Sequence, residues 1–174
     1  MTIPDHSRHR AVALAAPAED LCLAFANTRY WRGRDEPSET LGGYKDLLAW
    51  LEGNSGSAPV LLARAKQWAA DHDAAAVRAS VEAIALREAI YRLFTAIATA
   101  QPVAERDLAL LNGALADAPP RARLIRGEHG FGWAADAAAP TLSTLLAPIL
   151  WSAADLLTQA GDRRLRRCAN DECL

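Results

Sequence analysis

The longest helical pattern in the chain, Ala74 to Ala100, contains neither glycine nor proline. It is rich in alanine, the best helix former, and holds no breaker, so it reads as one long helix. Its apolar face shifts midway, from Val77, Val81 and Ile84 to Ile90, Leu93, Phe94 and Ile97. A helix that touches two different neighbours has that pattern, and a chain organised around it folds mainly by packing helix on helix.

Other helical patterns flank this one. Ala18 to Tyr30 places Leu21, Phe25 and Thr28 on one side. Trp31 to Glu39 (WRGRDEPSE) then reads as a loop, because charges, Gly33 and Pro37 sit together. A helix starting near Thr40 carries the stripe Leu41, Tyr44, Leu47, Leu48 and Leu51, with Gly53 as its expected C-cap. Pro59 opens a helix to about His72, at the position where proline is tolerated. A short helix spans Ala104 to Ala116, before Pro119 and Pro120. The texture then becomes β: Ala122–Arg126, a Gly127–Gly130 turn and Phe131–Ala135 read as a hairpin, with Leu124, Phe131 and Trp133 facing a helical layer. A last helix, Thr141 to Ala160, has an unbroken stripe from Leu142 to Leu157; Pro148 kinks it or marks its true start, and Gly161 ends it. The expected class is mainly α with a small β-hairpin (α+β). The expected organisation is a mobile tail at 1–10, a helical body at 11–161 and a basic appendage at 162–174.

At 174 residues the chain is long enough to bury a real core, and half of it is hydrophobic. Net charge is -2 and the isoelectric point is near 6.1, so there is no global footprint of a nucleic-acid binder, and DNA contact would have to come from a local patch. No apolar run is long enough for a membrane span, and the polar N-terminus MTIPDHSRHR is not that of a signal peptide. Three cysteines, an odd and low number, point to reduced thiols in a cytoplasmic protein.

Chemistry concentrates at the end, in DRRLRRCANDECL. Cys168 and Cys173 form a C-x4-C pair, a loop short enough for both thiolates to reach one metal. Structural zinc wants four ligands, so the pair also fits two incidental cysteines at a frayed end. Arg163, Arg164, Arg166 and Arg167 directly precede Cys168 and suit phosphate contacts, or equally a solvated charged linker. In the body, Asn27-Thr28 suits either helix capping or holding a ligand. Arg87 leans toward an apolar stripe and needs a partner, either a carboxylate such as Asp46 or Asp155 or an anionic ligand. Trp133 and Trp31 are candidates for lining a pocket or for plain core packing. Cys22 reads as a buried small hydrophobe and His72 and His129 as exposed. Ser152 and Asp155 lie three apart on the last helix, with no histidine placed to complete a triad. There is no phosphate-binding glycine loop and no HExxH, so an enzyme is not the expectation.

Four stretches carry a family likeness: LCLAFANTRYWRG (Leu21–Gly33), GGYKDLLAWL (Gly42–Leu51), ALREAIYRLFTAIA (Ala85–Ala98) and WSAADLLTQAGDRRLRRCANDEC (Trp151–Cys173). In order and spacing the sequence is similar to the family that joins an N-terminal ABATE domain, a stress-linked transcription regulator, to a C-terminal CGNR zinc finger. The resemblance implies that Cys168 and Cys173 are the first two metal ligands; beside such a knuckle the phosphate-contact reading of the arginines gains, although most of the family's DNA-binding surface lies in the second half of its finger. The family's second cysteine pair is not in this sequence. Zn2+ is therefore expected only where further residues or a partner chain complete the finger; a homodimer sharing both cysteines would do so. The implied function is a regulator whose body senses a small molecule or partner, through Asn27, Thr28, Arg87 and Trp133, and passes that state through the last helix to a finger on DNA. The alternative is a stand-alone small-molecule-binding or interaction domain without DNA binding.

Overall fold

The computed structural model describes residues 11–127, 130–136, 141–159, 165–166, 168 and 170. The chain runs β1 (Ala11–Leu14), α1 (Leu21–Ala26), β2 (Arg29–Tyr30), β3 (Ser38–Glu39), α2 (Tyr44–Asn54), α3 (Pro59–Asp71), α4 (Asp73–Ala98), α5 (Glu105–Asp117), β4 (Leu124–Gly127), β5 (Gly130–Asp136) and α6 (Leu142–Thr158). This is a mainly α protein with a small antiparallel sheet, as the sequence pattern implies.

Helix α6 is the most deeply embedded. Residues Thr144 to Ala153 are all buried, so the helix meets protein on every side. Thr141 caps it by accepting a hydrogen bond from the Thr144 N–H at 3.1 Å. Pro148 lies inside it, and the helix continues past it to Thr158 instead of starting there. Helix α4 packs on α1, α2, α3, α5 and α6. Its expected first-half face is corrected: Val77 and Val81 are 56% and 61% exposed, while Ala76, Ser80, Ala83 and Arg87 are buried. Small side chains on that stripe let neighbouring helices approach, which outweighs the larger apolar area of the valines. The α2 stripe is buried throughout, from Leu41 to Leu51. Its end differs from expectation, since Gly53 is helical and Gly56 takes the left-handed conformation at φ +62°.

Two strand features were absent from the sequence reading. β1 adds a third strand beside the hairpin, in the order β1-β5-β4, with Leu14 opposite Trp133. β2 and β3 pair Arg29 with Glu39 and Tyr30 with Ser38, so the expected 31–39 loop closes on itself. In the larger sheet, cross-strand partners share a face. Val12, Leu14, Trp133 and Ala135 turn that face onto the core. Leu124 and Phe131 do not meet the helices as expected; they are 57% and 75% exposed. They belong to the right face, but Leu124 is on the outer strand and Phe131 next to the hairpin tip, both beyond the reach of the core. Gly132 is required there: a Cβ would lie 2.6 Å from the Leu14 carbonyl oxygen.

Candidate functional site

The end of α1 is where polar chemistry gathers. The Thr28 hydroxyl and N–H both donate to the Phe25 carbonyl, at 2.8 and 3.1 Å. The Thr40 hydroxyl and N–H donate in turn to the Thr28 carbonyl, at 2.7 and 3.1 Å. Thr28 thus closes α1 and ties it to the strand β3.

Arg87 enters this knot from α4 and is fully buried. Its guanidinium forks onto Glu39, at 2.6 and 2.7 Å, and reaches Glu88 at 3.0 Å and the Thr28 hydroxyl at 3.2 Å. The partners are therefore Glu39 and Glu88, not Asp46 or Asp155; Asp155 pairs with Arg121. Glu88 also receives Arg32, at 2.7 and 3.1 Å, and Arg32 donates to the Ala26 carbonyl at 3.0 Å. Two cations and two anions balance, and the bidentate geometry is the strong form of such a pair. Burial alone would raise the Glu39 carboxyl, but hydrogen bonds from Arg87 and the Leu41 N–H hold it below the ordinary carboxylate range. Burial likewise opposes Glu88, and Arg32 and Arg87 hold it low. Burial would lower Arg87, yet Glu39 and Glu88 raise it further. The Arg32 Nε is buried without a hydrogen-bond partner, a modest cost beside the two nitrogens that are bound. With its coordination filled by protein, Arg87 works as a keystone that pins α1, β3 and the 31–37 segment to α4.

Against this fixed knot lies a groove of about 670 Å³. Leu23, Ala26, Phe94, Ala98 and Leu165 supply its apolar lining, and Asn27, Arg29, Tyr30, Tyr91, Arg166 and Cys168 its polar edge. That volume lies within the ordinary range of small-molecule sites. Tyr91 is held from behind, with the Arg32 guanidinium 3.9 Å from its ring centre. Leu165, Arg166 and Cys168 form one wall: Leu165 packs on the core, and Arg166 and Cys168 are exposed.

The proposed site residues therefore separate. Asn27 lines the groove, while Thr28 and Arg87 belong to the knot beneath it. Trp133 sits on β5, half-buried against the core and outside the groove lining. Arg166 and Cys168 lie at the groove edge; Arg163, Arg164, Arg167 and Cys173 lie outside the described residues. Among the described residues no three His, Cys, Asp or Glu side chains gather as a metal site. Cys168 is exposed and not in a disulfide. Arg29, Tyr30, Tyr91 and Phe94 were not among the expected site residues, although Arg29 and Tyr30 follow Asn27-Thr28 directly and Tyr91 lies one turn from Arg87. Ser152 is structural: it accepts from the Cys22 N–H at 3.0 Å and donates to the Glu19 carbonyl at 3.3 Å. Cys22 is buried, which pushes its thiol up to about 11.

Among the described residues no helix is long and apolar enough to cross a membrane. No curated protein and no solved structure matches the chain. A family model does: ABATE, described as "Putative stress-induced transcription regulator", aligns with residues 19–160, a span from just before α1 to just after α6 that includes the Arg87 knot and the body side of the groove. On that match the chain belongs to the ABATE family.

Proposed function

We propose that this chain is the sensing body of a cytoplasmic transcription regulator, and that its C-terminal segment leads into a zinc-binding finger that contacts DNA. The observation that carries the reading is that Leu165, Arg166 and Cys168 share one groove with Asn27, Tyr30 and Tyr91 of the body. An occupant of that groove touches both the rigid core and the residues that enter the finger. The last helix is the expected link; α6 ends at Thr158, and Leu165, between it and Cys168, packs against the core. In this reading Cys168 and Cys173 supply two thiolates to Zn2+, further ligands complete the site, and Arg163, Arg164, Arg166 and Arg167 meet phosphates. We read the groove as a binding site; among the described residues its lining holds no histidine or carboxylate that would suit a general base.

The test is DNA binding by a chain carrying the complete finger, with zinc supplied. The expected result is binding that weakens steeply with salt, as phosphate contacts require. Failure to bind any duplex, with zinc bound and the body folded, would refute the regulator reading. It would favour a stand-alone binding domain whose stability ignores chelators.

A further inference from the structure

We infer that the groove takes a small organic anion, a carboxylate carried on a flat or branched apolar body. The inference rests on the sensor reading above and names the chemistry of its ligand.

The charge of the lining is the first argument. The chain as a whole carries more acid than base, with 21 Asp and Glu against 19 Lys and Arg. Among the described residues the groove lining reverses that balance, with Arg29, Arg166 and no carboxylate. Neither guanidinium forms a hydrogen bond or ion pair with a described residue; Arg29 feels Glu39 only through space. The nearby Glu39 and Glu88 are already committed to Arg87 and Arg32. An incoming carboxylate thus meets two cations that no anion among the described residues holds by a hydrogen bond or ion pair.

The backbone does not oppose it. The C-terminal end of α1 would repel an anion through its open carbonyls. Three of those carbonyls are covered: Leu23 by the Asn27 N–H, Phe25 by Thr28, and Ala26 by Arg32. The Asn27 side-chain amide and the Tyr30 and Tyr91 hydroxyls make no hydrogen bond with a described residue and stand at the same groove as further donors. The remaining surface selects the body of the ligand. Leu23, Phe94, Ala98 and Leu165 offer apolar area, and the Tyr91 ring is fixed by Arg32. A bare inorganic anion would leave that area unfilled, and a neutral apolar molecule would leave the cations unused.

The experiment is a calorimetric and fluorescence titration of this chain with 2-naphthoate, its neutral amide 2-naphthamide, and inorganic phosphate. Saturable binding of 2-naphthoate, one per chain, is expected, with the amide and phosphate each weaker by about tenfold or more. Arg29→Gln and Arg166→Gln should each weaken 2-naphthoate by a similar factor while leaving thermal unfolding unchanged. Ala98→Trp, which fills the groove at the end of α4, should abolish binding in a protein that still unfolds cooperatively. Absence of saturable 2-naphthoate binding, equal affinity for the amide, equal affinity for phosphate, or indifference to both arginine substitutions would each overturn the inference. The titration uses neither DNA nor zinc, so its failure is separable from a failure of the regulator reading.

Discussion

Replacing Glu39 with alanine tests whether Arg87 is a keystone. The substitution removes both short arms of the fork, at 2.6 and 2.7 Å, from a guanidinium with no solvent exposure. Each charge-assisted bond contributes about 1.5–3 kcal/mol. Two effects reduce the sum. The Glu39 side chain is 35% exposed, so water recovers part of its solvation in the unfolded reference and partly reaches the vacated site. Arg87 also keeps Glu88 at 3.0 Å. The expected loss is about 3 kcal/mol, the lower part of the range for a buried charge stripped of one partner. For a chain of this length that is roughly 6–12 °C in Tm. Arg87→Met should cost less, because it takes the buried charge away and leaves Glu39 partly solvated and Glu88 on Arg32. Urea unfolding of the parent, both single variants and the double variant gives the coupling energy. A loss below about 1 kcal/mol for Glu39→Ala, or a greater loss for Arg87→Met, would refute the reasoning.

Further outcomes follow from the same geometry. Glu39 and Glu88 ionise more readily folded than unfolded, so their stabilisation is complete above the ordinary carboxylate range and is lost as pH falls through their folded values. Glu39→Gln should flatten, without abolishing, the fall in stability between about pH 5 and pH 3; parallel curves for variant and parent would contradict this. Iodoacetamide at about pH 8 should label Cys168 well before Cys22, which is buried with a raised pKa, and peptide mass spectrometry showing equal rates would count against the fold around α1. Leu165→Ala should speed tryptic cleavage after Arg166 while costing the body under about 1 kcal/mol, since Leu165 packs only at the edge of the core.

How much of this was legible in the sequence depended on whether a pattern was local. The stripe of α2 is a periodic apolar run and burial followed it closely, whereas α6 buries its stripe and its other faces alike from Thr144 to Ala153. The first half of α4 misled, because alanine and serine are buried there by neighbours that only the tertiary packing brings close. β1 has four residues and no turn signal of its own, so its pairing with β5 exists only in three dimensions. The burial of Arg87 followed from its position on the helix, but its partner Glu39 lay in a segment that read as loop, 48 residues away. Asn27 was visible as a polar pair with Thr28. The groove was not, because it is assembled from α1, β2, α4 and the C-terminal segment, none of which carries a recognisable motif for it.

The most direct test of the account is the coupling between groove and finger. In a zinc-loaded chain carrying the complete finger, DNA affinity is measured for the parent and for Ala98→Trp, whose groove is filled. The account predicts a change of about fivefold or more, in either direction, the lower end of ordinary allosteric coupling. Equal DNA affinity in the two proteins, with 2-naphthoate binding lost only in the variant, would contradict it.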